Sequence, residues 1–112
     1  MKKIEAIVKT FKLEDIVSRL RLVGVTGMTL AEVHGVSAST ATLGVFHGNR
    51  YMTVSAPRYH LMIVVPDDAV DAVVRAIRIA GCTESPGDGI ITVGDVDDVI
   101  RVRTGETGLA AL

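Results

Sequence analysis

Polar and apolar residues alternate with period two from Lys3 to Lys9, which predicts a half-buried strand with Ile4, Ala6 and Val8 on its inner face. At Phe11 the period changes. Leu13, Ile16, Val17 and Leu20 recur at the spacing of an amphipathic helix running to Val23, and Gly24 stands where such a helix stops. Alternation returns over Met28–His34 as a second strand, entered through Gly27 and left through Gly35. From Val36 to about Ala56 no period lasts long enough to define an element: Ser37 to Thr42 is small and polar, and Gly44 and Gly48 interrupt the remainder. A loop of that length in a compact domain is expected to be mobile and to carry function. After Pro57, Arg58–Val65 is β-rich and becomes apolar on both faces, as a central strand is. Pro66-Asp67-Asp68 opens a second helix with acidic residues in its first turn; Val70, Val73, Val74, Ile77 and Ala80 form its stripe, and Gly81 closes it. Cys82 to Gly89 reads as a loop and Ile90–Val93 as the fourth strand. Asp95–Asp98 reads as a turn before the extended stretch Val99–Arg103, and residues 104–112 as a small-residue tail without clear structure.

The order is strand, helix, strand, then the same again. It predicts an α+β fold of the ferredoxin-like βαββαβ kind, a four-stranded antiparallel sheet with two helices on one face. A sheet this apolar should bury its other face against copies of itself, so an oligomer is expected. A chain of 112 residues makes this a single domain, 1–112.

Composition narrows the partners. A net charge of −1 provides no field to attract nucleic acid or an anionic membrane. No apolar run is long enough to span a bilayer, and Met1-Lys2-Lys3-Ile4-Glu5 lacks a signal-peptide core, so the expected location is the cytoplasm, without membrane insertion. One cysteine, Cys82, rules out an intrachain disulfide and is read as a free thiol. There is no nucleophile–base pair at recognisable spacing, so no catalytic residues and no enzyme are expected. His34, His47 and His60 have no local ligand spacing, and no metal site is predicted.

The stretch with chemistry is Gly87-Asp88-Gly89, followed by Arg101 and Arg103. Glycines let the backbone turn and offer N–H groups to an anion, and two arginines at spacing two project from one face of a strand. That describes a phosphate site. It equally describes a hairpin turn with a charged, solvated edge, and residue spacing leaves both readings open.

Several stretches resemble the PII signal-transduction proteins: Met1–Lys9, Phe11-Lys12-Leu13, Gly24–Thr29, Ile63–Asp68, Gly87-Asp88-Gly89 and Val99–Glu106. The match needs no gap. The resemblance implies a homotrimer with adenine-nucleotide sites in clefts between subunits, and no catalysis. It also implies control of a target protein, a transporter or an enzyme, through the long loop 36–56. It assigns Gly27, Met28, Thr29 and Val64 to the base and ribose. It assigns Gly87, Asp88, Gly89, Arg101 and Arg103 to the phosphates, with Gly35, Val36, Ser37 and Arg58 as further nucleotide contacts. Tyr51 stands where many members are uridylylated.

The departures cluster. The family pattern has lysine after Gly89, where this chain has Ile90. At the start of the loop it has glycine, arginine, glutamine, lysine, glycine, where this chain has Ser37, Ala38, Ser39, Thr40 and Ala41. Arg58 replaces another lysine. Each lost charged hydrogen bond costs about 1.5–3 kcal/mol. ADP or AMP is therefore expected in preference to Mg²⁺-ATP, with the second small ligand, 2-oxoglutarate, bicarbonate or another, left open. The alternative expectation is a trimeric adaptor or metal-responsive scaffold that has lost nucleotide sensing.

Overall fold

The computed structural model describes residues 1–37, 42–46, 49–53 and 55–112, with residues 42–46 and 49–53 described by backbone alone. Strand β1, Lys2–Lys9, buries Ile4, Ala6 and Val8 by simple alternation. A 3₁₀ turn, Thr10–Lys12, leads into helix α1, Leu13–Leu22, whose Ile16 and Leu20 are fully buried. The helix closes as its sequence predicts. Gly24 has φ 92°, its N–H donates to the Arg21 carbonyl at 3.1 Å, and the Val25 N–H donates to the Leu20 carbonyl at 3.0 Å. This pair of bonds is a Schellman motif, and its apolar contact is present too, because Val25 and Leu20 both belong to the core.

Strand β2 is Thr29–Val36, β3 is Thr42–Phe46, β4 is Asn49–Thr53 and β5 is Ser55–Val65. A 3₁₀ turn, Asp67–Ala69, precedes helix α2, Val70–Gly81, and strand β6 is Gly89–Asp95. The main sheet has the order β2-β5-β1-β6 and every pairing is antiparallel, the ferredoxin-like arrangement. Register sets the core. Ile4 lies opposite Ile63 and Val93, and Ala6 opposite Leu61 and Ile91, so these rows face the helices. The other face carries the row Ala31, His60, Ile7, Ile90 and, beside it, Glu5, whose Oε1 is 3.2 Å from His60 Nε2. No helix among the described residues is long and apolar enough to cross a membrane.

Three expectations need correction. Residues 36–56 are not without elements: β2 runs to Val36, β5 starts at Ser55, and β3 pairs with β4 from Thr42 opposite Thr53 to Phe46 opposite Asn49. A ladder is made by pairing between two segments, which the period of either one alone does not report. Arg101 and Arg103 do not project from a strand. Ile100 forms an isolated bridge with Thr107, and between them the chain turns back, with Arg101 N–H donating to the Glu106 carbonyl at 2.9 Å and Gly105 N–H to the Arg101 carbonyl at 2.8 Å. Gly105 at φ 73° makes that reversal possible. The tail is also partly ordered, as a 3₁₀ helix over Gly108–Ala111 with Ala111 buried.

A Cβ added to Gly24 would meet nothing within 4 Å, so Gly24→Ala carries only the cost of its left-handed backbone. It should destabilise the protein by about 1 kcal/mol, read as a lower denaturant midpoint at unchanged slope; an unmoved midpoint would contradict the cap.

Candidate functional site

The residues singled out from sequence separate into two groups at opposite corners of the sheet. The first lies where β1 ends. Gly87 (φ 89°) and Gly89 (φ 110°) bring the loop after α2 into β6, and Gly89 pairs with Val8. Gly89 could be nothing else: a Cβ there would sit 1.7 Å from the Ile7 carbonyl oxygen. The Asp88 carboxylate turns back into its own loop. It accepts the Thr83 hydroxyl, the Thr83 N–H at 2.7 Å and the Lys9 ammonium at 3.2 Å. These partners, the Thr83 hydroxyl foremost, then its N–H and Lys9, hold the carboxyl well below the usual carboxylate range. Asp88 is thus a staple that shapes the loop.

The same end of the sheet, toward the β2 edge, holds more of the predicted residues. Arg58 pairs in register with Lys9 on one side and Val33 on the other, and its Cγ lies 3.4 Å from where a Gly35 Cβ would be. Its guanidinium donates to the Pro57 carbonyl at 2.9 Å. Val36 ends β2 and Ser37 comes directly after it. Beside Asp88 and Gly89 opens a cavity of about 380 Å³ lined also by Ile7, Ile90, Arg78 and Cys82. Ile90 is 65% exposed and adds an apolar side chain to this corner.

The second group lies at the far end of β5. Gly27, Met28 and Thr29 enter β2, Thr29 opposite Met62, and together with Val64 and the C-terminal Leu112 they line a cavity of about 470 Å³. Arg101 reaches its rim, where Nη2 donates to the Leu112 carbonyl at 3.2 Å. Its Nε is 3.9 Å from Glu106 and is buried without a hydrogen-bond partner among the described residues. Arg103 sits exposed on the turn beyond. An apolar slot with a guanidinium at its rim suits a flat ring with an anionic tail. The two corners lie across the full sheet width and three residues apart along the strands, roughly 17 Å, so one chain does not bring Gly87–Gly89 together with Gly27–Thr29.

Other candidates fall elsewhere. His34 lies opposite Pro57 and His60 opposite Ala31, positions that point to opposite faces of the sheet, and His47 lies outside the described residues. No group of three or more metal-ligating side chains occurs among the described residues. Tyr51 is on β4, placed there by its backbone, and Ala38, Ser39, Thr40 and Ala41 lie outside the described residues. Lys9, Thr83 and Leu112 went unread in sequence. Lys9 looked like one more outward strand position, and nothing in residue spacing ties Thr83 to Asp88.

Folded Asp88 has a depressed pKa, so its contribution to the loop is present above the range where free carboxylates titrate and is lost only as pH falls below it. Asp88 should therefore remain ionised across the window of roughly pH 3 to 5 in which an unperturbed Asp titrates, followed by its carboxyl carbon chemical shift. Asp88→Asn should speed hydrogen exchange at the Thr83 and Gly89 amides while leaving β1–β5 protection intact.

Proteins of similar sequence and shape point the same way. The family model described as "Nitrogen regulatory protein P-II" matches residues 1–106. The chain is 46% identical to "Nitrogen regulatory protein P-II 1" of Escherichia coli (strain K12) and 42% identical to "Nitrogen regulatory protein P-II" of Rhizobium meliloti (strain 1021), each over 112 residues and the whole of both chains. The solved structure of B. subtilis GlnK superposes with a TM-score of 0.81 at 30% identity, covering 99% of this chain and 97% of that one.

Proposed function

The chain belongs to the nitrogen regulatory protein P-II family, a family of signalling proteins rather than enzymes, and from that we propose that it is a homotrimeric cytoplasmic sensor of adenine nucleotide. In this reading it acts on a transporter or enzyme through the segment between β2 and β5. The observation that carries the proposal is the separation of the two corners. A nucleotide that uses both needs a second copy of the chain, and the uncovered sheet face with Ile7, His60 and Ile90 is what such copies would bury.

The roles follow from the geometry. Base and ribose go to the apolar slot of Gly27, Met28, Thr29 and Val64, with Arg101 at its rim and Arg103 on the turn beyond meeting phosphate. Gly87 to Gly89 of a neighbouring copy supply backbone N–H groups, and Gly35, Val36, Ser37 and Arg58 contribute from the same end of the sheet, toward its β2 edge. The Ile90 side chain cannot donate to a terminal phosphate. This favours ADP or AMP over Mg²⁺-ATP, since a third phosphate would enter an apolar surround. A small anion bound at the root of the segment between β2 and β5, together with the nucleotide, is the second ligand of this reading. Tyr51 is a candidate for covalent modification on the same segment.

Sedimentation should give a mass three times that of the 11.9 kDa chain. Calorimetry should show micromolar binding of ADP or AMP, weakened about ten- to a hundredfold by Arg103→Ala. Ile90→Lys should shift preference toward ATP by about tenfold. A trimer that gives no heat with any nucleotide would sink the sensor reading. It would leave the adaptor, for which Ile90 and the run Ser37 to Ala41 speak.

A further inference from the structure

The helix layer carries large apolar side chains that its own packing does not use. In α1 the buried positions are Ile16 and Leu20, and Leu22 falls out of phase with them, 85% exposed. In α2 the buried stripe runs through Val73, Ala76, Ile77 and Ala80, and Ile79 falls out of phase, 53% exposed. Helices α1 and α2 pack side by side. That arrangement brings Leu22, Val23 and Ile79 into one groove of about 270 Å³, floored by Ala72 and Ala76 and flanked by Arg19 and Arg75.

The charges around this groove are uncompensated. Arg19, Arg21, Arg75 and Arg78 enter no ion pair among the described residues, and neither do Asp68 and Asp71 at the start of α2. A lone arginine on a helix is ordinarily just solvated. Two of them, Arg19 and Arg75, line an apolar groove here.

We propose that the groove between α1 and α2 docks an acidic amphipathic helix from a partner protein. Leu22, Val23 and Ile79 offer apolar anchor contacts, and the alanines at spacing four allow close approach of a second backbone. Acidic flanks on the partner would meet guanidinium groups that have no existing pair to break. The groove adjoins the cavity beside Gly89, with which it shares Arg75 and Ile79, and it lies on the helix side of the sheet, opposite the face the proposed trimer buries, so assembly leaves it open.

The test uses the full-length protein and a fluorescein-labelled synthetic peptide of about five helical turns, leucines on one face and glutamates beside them, with a lysine counterpart of the same pattern. Anisotropy should give micromolar binding of the glutamate peptide and at least about tenfold weaker binding of the lysine one. Leu22→Glu and Arg75→Glu should each weaken the glutamate peptide about tenfold or more, with melting temperature and sedimentation mass unchanged. Ile79→Ser provides a second apolar variant should Leu22→Glu fail to fold. Equal affinity for both peptides, no binding into the millimolar range, or undiminished binding by the variants would overturn the proposal. A fall in mass with Leu22→Glu would overturn it in favour of a contact between copies. Leu22- and Arg75-dependent sedimentation with phosphatidylserine vesicles, without peptide binding, would overturn it in favour of a membrane surface.

Discussion

Strand β1 is hydrogen-bonded along both edges, to β5 over its whole length and to β6 from Lys2 to Val8. Because side chains alternate, that double pairing decides at once which residues of three strands face the helices. Ile4, Ala6, Leu61, Ile63 and Ile91 go one way; Glu5, Ile7, His60 and Ile90 go the other. A slip of one residue would exchange the two sets, moving the charges of Glu5 and Lys3 under the helices. Gly89 locks this register chemically, since no other residue fits against the Ile7 carbonyl. The constraint that makes the core also sets where the loop from Cys82 to Asp88 arrives.

The architecture was legible because its signals are local. Period two in β1, the stripe of α1 and the Gly24 stop are each read within about ten residues, and the chain obeys all three. The β3–β4 ladder was not legible, since neither Thr42–Phe46 nor Asn49–Thr53 alternates strongly, and only their mutual pairing makes them strands. The stretch after Ile100 misled for a related reason. Its β-branched and charged alternation suits a strand, but Thr104-Gly105 reverses the chain before a strand can pair.

At the candidate site, glycines were easier to read than the groups that hold them. Gly87 and Gly89 announce a backbone in an unusual conformation, which a sequence displays directly. Asp88 suggested an anion-facing or turn residue, and its actual partners, Lys9 and Thr83, are remote or unpatterned in sequence. The division of the predicted residues into two corners is invisible to motif reasoning, which treats a collection of matched positions as one place. It emerges only from strand order, with β2 and β6 on opposite edges.

The clearance at Gly89 has an evolutionary consequence. A corner whose shape rests on main-chain register, a glycine and one inward-turned carboxylate holds its form through a few groups, not through the side chains that line its outer surface. Neighbouring positions can then change without unmaking the frame. Such a scaffold separates the inheritance of a binding geometry from the inheritance of a ligand preference, and lets paralogues diverge in what they respond to while keeping the same way of holding it.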